Sequence, residues 1–175
     1  RAHSRQLVAW QRSQRFIRRS KESSGVLTWT ASSVRSHARR TARSEDSAAA
    51  GEPWDPAWPL ARQREAWEKQ CRRARARRPD RLMVEDIEAE GLRLRIFRPP
   101  GEDPKPGVLY AHGGGWTMGS CETHDDLCAE LADQADVVVV CFDYRLAPEH
   151  RNPAQVSDAL RVLEWMKSSG RAIGI

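Results

Sequence analysis

The stretch VLYAHGGGWTMGS, residues 108–120, decides how this chain is read. Val108–His112 is a short, largely apolar run of strand length, and it opens directly into three consecutive glycines. Without Cβ atoms, Gly113, Gly114 and Gly115 can adopt positive φ and let another molecule approach their N–H groups closely. Backbone N–H groups converging in such a turn suit a developing oxyanion, because their dipoles are aimed before the charge appears. A glycine run by itself is common in flexible loops. Its position after a strand and before a helix is what gives it chemical meaning.

Downstream of the glycines, Cys121–Asp136 reads as a helix with Leu127, Cys128, Leu131 and Ala135 on one face. Val137–Phe142 (VVVVCF) is an unbroken apolar run, which suits a parallel strand buried on both sides rather than a half-exposed one. The loop YRLAPEHRNP then leads into a helix from about Ala154 to Ser168, with Leu160, Leu163 and Met166 as its expected inner face. Upstream, Leu82–Glu90 and Leu92–Phe97 flank Gly91 as two strands. LRLRIF alternates apolar and basic residues, the period-two signature of a strand with one wet face. PPGEDPKPG is a turn-rich connector. A further helix is expected from about Pro59 to Arg77, stopped by Pro79, with Trp58, Leu60, Trp67 and Cys71 on its apolar side. Its Arg72, Arg73, Arg75, Arg77 and Arg78 read as a solvated helix end, favourably placed against the helix dipole. Strands that alternate with helices in the second half indicate an α/β sheet with crossover connections.

The 175 residues suit one domain, but their charge is unevenly spread. Residues 1–50 hold 11 Arg and Lys against 3 Asp and Glu, and the rest of the chain holds 18 against 21. The net charge of +5 therefore belongs to an Arg/Ser-rich leader, residues 1–53, expected to be a disordered basic segment. Transit peptides share this composition, which a gene-model artefact would also permit. The body, residues 54–175, is slightly acidic and presents no basic face for nucleic acid. Cys71, Cys121, Cys128 and Cys141 show no CxxC or zinc-ligand spacing, and Cys141 reads as a small buried hydrophobe. No apolar run approaches the length of a membrane span, so the body is expected to be soluble.

Four segments taken together carry a resemblance: HGGGWTMGS, THDDLCAELA, VVVVCFDYRLAPEH and PAQVSDALRVLEW. In that order and at those intervals they resemble the hormone-sensitive-lipase group of α/β-hydrolases over residues 82–175, more weakly from Trp54. The resemblance implies an α/β-hydrolase sheet, here its first four strands with flanking helices, in which the strand matching Val108–His112 neighbours that matching Val137–Phe142. It implies an oxyanion hole in which Gly114 and Gly115 donate N–H groups while Gly113 shapes the turn. His112 would orient the loop through its ring without acting as the base. Trp116 would line the acyl or alcohol pocket, or simply pack. Asp143, Tyr144, Arg145, Glu149, His150 and Asp158 would form a structural network. The implied substrate is a small-molecule ester, with no cofactor and no metal, and bacterial relatives of this type imply a cytoplasmic location.

The family's nucleophile sits in a G-x-S-x-G elbow, a tight turn that exposes the serine Oγ. No serine of this chain has glycine both two residues before and two residues after it; Ser120 has Met118 and Glu122 there. The resemblance places the nucleophile, the acid and the histidine after Ile175, so the chain reads as the N-terminal part of such a hydrolase. His124 and His150 are not expected as triad bases, and the chain alone is expected to be inactive. The rival reading is a non-enzymatic ligand-binding module, since plant hormone receptors of the same family kept the pocket without turnover.

Overall fold

The computed structural model describes residues 18–20, 28–30 and 55–175 of the chain. The chain divides into two units, residues 1–46 and 47–175. In the first, strands β1 (Arg18–Ser20) and β2 (Thr28–Thr30) pair antiparallel. The rest of the basic leader, and the expectation that it is disordered, lies outside the described residues.

The second unit runs α1 (Leu60–Ala74), β3 (Met83–Ala89), β4 (Leu92–Arg98), β5 (Gly107–Ala111), α2 (Asp125–Ala135), β6 (Val138–Phe142) and α3 (Ala154–Ser169), ending in a 3₁₀ turn, Gly170–Ile173. The four strands form one sheet in the order β3-β4-β6-β5, with β5 parallel to β6 and the other pairs antiparallel. Glu90 and Gly91 close the β3–β4 hairpin, both at positive φ (53° and 68°). This is the two-residue turn whose twist matches that of the flanking strands.

Each strand sends alternate residues to opposite sheet faces, and both faces are covered. Leu92, Leu94 and Ile96 of β4 join Val138, Val140 and Phe142 of β6 beneath Val162 and Met166 of α3. On the other face Phe97, Val139 and Cys141 pack against Cys128, Ala129, Ala132 and Ala135 of α2. The result is an α/β/α sandwich in which β6 is fully buried along its length, as its valine run predicts.

Several element details differ from the sequence reading. The face of β4 expected to be wet is covered: Arg95 is only 6% exposed and Phe97 is not exposed at all. Carboxylates from three segments, Asp86, Glu122 and Asp125, close over Arg95 and neutralise it. For α3, the inner face is Gln155, Asp158, Val162 and Met166, while Leu160 (58%) and Leu163 (38%) are exposed. Asp158 accepts hydrogen bonds from the Arg145 N–H and guanidinium, and Gln155 donates to the carbonyls of Arg145 and His150. Those polar anchors fix the helix rotation against the simple apolar count. Helix α2 starts at Asp125, not Cys121, and its sheet-facing side is built from small residues, with Leu127 and Leu131 half-buried. Helix α1 ends at Ala74. Arg75 and Arg78 leave it to pair with Glu122 and Asp125, so this part of the arginine cluster is not a solvated helix end. All four cysteines are free thiols, and Cys121, Cys128 and Cys141 are buried.

Candidate active site: the glycine loop and its supports

The loop begins where β5 leaves the sheet. A planar peptide couples each N–H to the carbonyl on the other side of the same bond, so holding one end aims the other. Three successive peptides are held in this way. The His112 carbonyl accepts the Tyr144 hydroxyl at 2.7 Å, and the N–H of the same peptide, on Gly113, donates to His124 Nε2 at 3.2 Å. The Gly113 carbonyl lies 3.0 Å from His112 Nδ1. The Gly114 carbonyl accepts from the N–H groups of Thr117 and Met118 at 3.2 and 3.1 Å, and from the Thr117 hydroxyl. The partners of the last two carbonyls are the N–H groups of Gly114 and Gly115. Neither of these N–H groups has a protein acceptor among the described residues. The structure thus leaves two fixed donors open side by side, at the positions the sequence singles out.

Glycine is required by geometry at two points. Gly114 has φ +131°, and a Cβ there would lie 1.9 Å from the Met118 carbonyl oxygen. At Gly119, φ +96°, a Cβ would come within 2.3 Å of the Gly113 oxygen. Gly115, at φ +60°, has open space where a Cβ would go, consistent with a side left free for another molecule.

His112 is 3% exposed and stacks on Tyr144 with ring centroids 4.1 Å apart and planes 12° from parallel. Its Nδ1 must carry the ring proton to meet the Gly113 carbonyl, so its part here is to hold the loop. Burial pushes its pKa down, against the Gly113 hydrogen bond that raises it. Trp116 sits at φ +64°, is 54% exposed, and has its ring tilted over Tyr144 at 5.5 Å. Its carbonyl accepts the Ala147 N–H at 2.8 Å, tying the glycine loop to the loop after β6. Arg64 of α1 reinforces the same junction, donating to the Thr117 and Ala147 carbonyls and to Glu149.

Asp143, Tyr144, Arg145, Glu149 and Asp158 all serve as braces. Asp143 accepts the Cys121 N–H at 2.6 Å and faces Arg93 at 3.4 Å; Arg145 pairs with Asp158 at 2.8 Å. His150 contributes backbone groups, its N–H bonding to Leu146 and its carbonyl to Gln155. The Ser120 hydroxyl donates to the Glu68 carboxylate at 2.6 Å and accepts the Glu122 N–H. What the sequence reading did not foresee is His124 as a partner of the glycine loop, and Arg64 as its clamp. A histidine twelve residues after His112 in a turn carries no periodic signal, and Arg64 reaches the loop only through tertiary packing.

The two loop histidines also make stability depend on pH. Burial, then the neighbouring His112, pushes His124 from 6.5 down to about 4. A depressed folded-state pKa means the unfolded chain binds more protons, so stability is full above the unfolded value and is lost as pH falls towards the folded one. Burial raises Glu122, but hydrogen bonds from Arg95, Arg75 and Arg93 outweigh it and bring it from 4.5 to about 2. Urea midpoints are therefore expected to fall in two stages on acidification, first between 6.5 and about 4 from the histidines and then between 4.5 and about 2 from the carboxylates. In a His124→Gln variant the first stage should shrink. An unchanged first stage would show that His124 titrates normally.

Residues 108–175 match the family model described as the alpha/beta hydrolase fold. The esterase LipI of Mycobacterium tuberculosis is 43% identical over 100 residues, covering 53% of this chain and 31% of that protein. The ethyl acetate hydrolase of Pseudomonas putida is 44% identical over 87 residues, covering 48% and 27%. Among solved structures, the hyperthermophilic esterase of Pyrobaculum calidifontis superposes with a TM-score of 0.63 at 35% identity, over 79% of this chain and 45% of that one. The chain thus spans less than a third of the curated relatives it matches and just under half of the solved one. Among the described residues no helix is long and apolar enough to cross a membrane. The α/β/α sandwich, the glycine loop on the strand-to-helix turn and these relatives agree: the chain has the α/β-hydrolase fold and is similar to hydrolases of the hormone-sensitive-lipase type.

Proposed function

We propose that residues 112–116 form the oxyanion-hole side of a serine carboxylic-ester hydrolase site, with Gly114 and Gly115 as donors. The observation that carries this reading is the pair of open N–H groups on peptides whose carbonyls are already held. In the reaction a serine attacks the ester carbonyl, and negative charge grows on the carbonyl oxygen as the tetrahedral intermediate forms. Donors fixed beforehand stabilise that charge without reorganising. His112, His124, Tyr144 and Met118 hold the donors, and the exposed Trp116 ring offers an apolar wall to the ester beside them. Among the described residues the Ser120 hydroxyl is turned to the Glu68 carboxylate, and His112 meets the Gly113 carbonyl rather than a serine hydroxyl. The resemblance to the family places the serine, its acid and its histidine in sequence following Ile175 of a longer hydrolase, whose substrates would be small-molecule esters.

A fluorophosphonate probe, which reacts with activated serines, tests the assignment. The 175-residue chain is expected to take up no label above a heat-denatured control, and to show no turnover of a short-chain nitrophenyl ester. The same chain extended by its downstream coding sequence should label at one serine within a G-x-S-x-G elbow. Stoichiometric labelling of the 175-residue chain, at Ser120 or elsewhere, overturns the reading.

A further inference from the structure

The turn that leads into α2 closes a hydrogen-bond circuit whose protons can be placed one by one. Thr123 Oγ1 lies 2.8 Å from the Ser120 carbonyl, 2.9 Å from the Ser120 N–H nitrogen and 2.8 Å from His124 Nδ1. A carbonyl only accepts, so the single hydroxyl proton of Thr123 goes to Ser120. The hydroxyl oxygen then accepts from the Ser120 N–H, and from His124 Nδ1, which must carry the ring proton. That leaves the lone pair on Nε2, and Nε2 is the atom 3.2 Å from the Gly113 N–H. The threonine thus selects the imidazole tautomer that the glycine loop needs.

Resting on the oxyanion-hole reading above, we propose that His124 is a positioning residue: held by Thr123 in its Nδ1–H tautomer, it accepts the Gly113 N–H and fixes the peptide that precedes the two oxyanion donors. It touches no substrate. His124 is 4% exposed, and its ring lies 5.9 Å from that of His112 and 6.0 Å from that of Tyr110, titratable groups that face it across the loop and β5. Protonation would put an N–H against the Gly113 N–H, replacing attraction by repulsion at the root of the loop. Burial disfavours that charged form, which keeps the acceptor available at neutral pH.

Two measurements test this separately from the oxyanion-hole reading. In ring-nitrogen NMR of the histidine-labelled 175-residue chain, His124 is expected in the Nδ1–H form at neutral pH, and Thr123→Val should shift it towards the other tautomer. An Nε2–H ring in the wild-type chain overturns the proposal whatever the catalytic role of the loop. In the complete hydrolase, His124→Leu removes the acceptor, while His124→Gln can present an amide oxygen near the position of Nε2. Misplacing a catalytic group by about an ångström costs on the order of 100-fold in rate. His124→Leu is therefore expected to lower kcat about 10- to 100-fold with KM within about twofold, and His124→Gln to recover most of the loss. Equal kcat in both variants overturns the positioning role, and if a Gly114→Ala variant is impaired at the same time, the oxyanion hole survives it. If Gly114→Ala also retains full kcat, the oxyanion reading itself falls.

Discussion

In the complete hydrolase, Gly114→Ala is expected to reduce kcat about 1000-fold or more, at or beyond the upper end of what loss of one oxyanion donor costs. The added Cβ would lie 1.9 Å from the Met118 carbonyl oxygen, and the backbone at φ +131° is closed to residues with a side chain. The carbonyl must move or the glycine must rotate. Either motion breaks the bonds from Thr117 and Met118 to the Gly114 oxygen and turns the Gly115 N–H away from its target. Gly115→Ala provides the comparison. Its Cβ meets nothing within 4 Å, and φ +60° is a left-handed conformation costing about 1–2 kcal/mol. Its kcat should fall about 10-fold or less unless the alcohol or acyl group needs that space, in which case KM rises instead. Steady-state kinetics on the two variants, with urea midpoints to confirm folding, decide the matter. Equal losses at both positions would mean that the loop is not held as the structure has it.

The glycine loop was legible because its chemistry is local. Three adjacent glycines between a strand and a helix have few other uses, and the valine run after them has only one comfortable place in an α/β sheet. The donor parts of Gly114 and Gly115 and the bracing part of His112 came from the resemblance to the family, not from the glycines alone. The rotation of α3 did not, because Leu160 and Leu163 obey the apolar rule while Gln155 and Asp158 break it. The winning term is a set of hydrogen bonds to Arg145 and His150, residues whose positions a helix periodicity does not contain. Arg95 misled in the same way. An arginine in an alternating strand reads as solvent-facing unless the carboxylates that cover it are known to converge, and Asp86, Glu122 and Asp125 converge only in three dimensions. His124 stayed hidden for a related reason: its partner, the Gly113 N–H, is a backbone atom with no signature in sequence.

Asp125 is where those convergent charges bear most on stability, and Asp125→Asn is expected to cost about 3–5 kcal/mol, the range for removing one partner of a buried ion pair. Its side chain has no solvent exposure and accepts from Arg95 Nη1 at 2.8 Å, Arg78 Nη2 at 2.6 Å and Arg78 Nε at 2.7 Å. Asparagine preserves the shape but lacks the charge, and it turns an NH2 group towards a guanidinium. Arg95, buried beside it, keeps Asp86 and Glu122 but loses its third carboxylate. Since domains of this size hold only about 5–15 kcal/mol in all, such a loss should be plain in the urea midpoint. Arg77 and Asp80 supply the control: they pair at 2.8 Å, yet their side chains are 84% and 78% exposed. Water replaces such a pair at little cost, so Asp80→Asn should change stability by less than about 1 kcal/mol. Asp125 also opens α2 immediately after His124, so its loss should loosen the turn that carries the Gly113 acceptor. Amide exchange at Gly113 is therefore expected to quicken in Asp125→Asn and not in Asp80→Asn. Equal midpoints for the two variants would mean that solvent reaches the Asp125 site, and that the network holds neither the fold nor the loop.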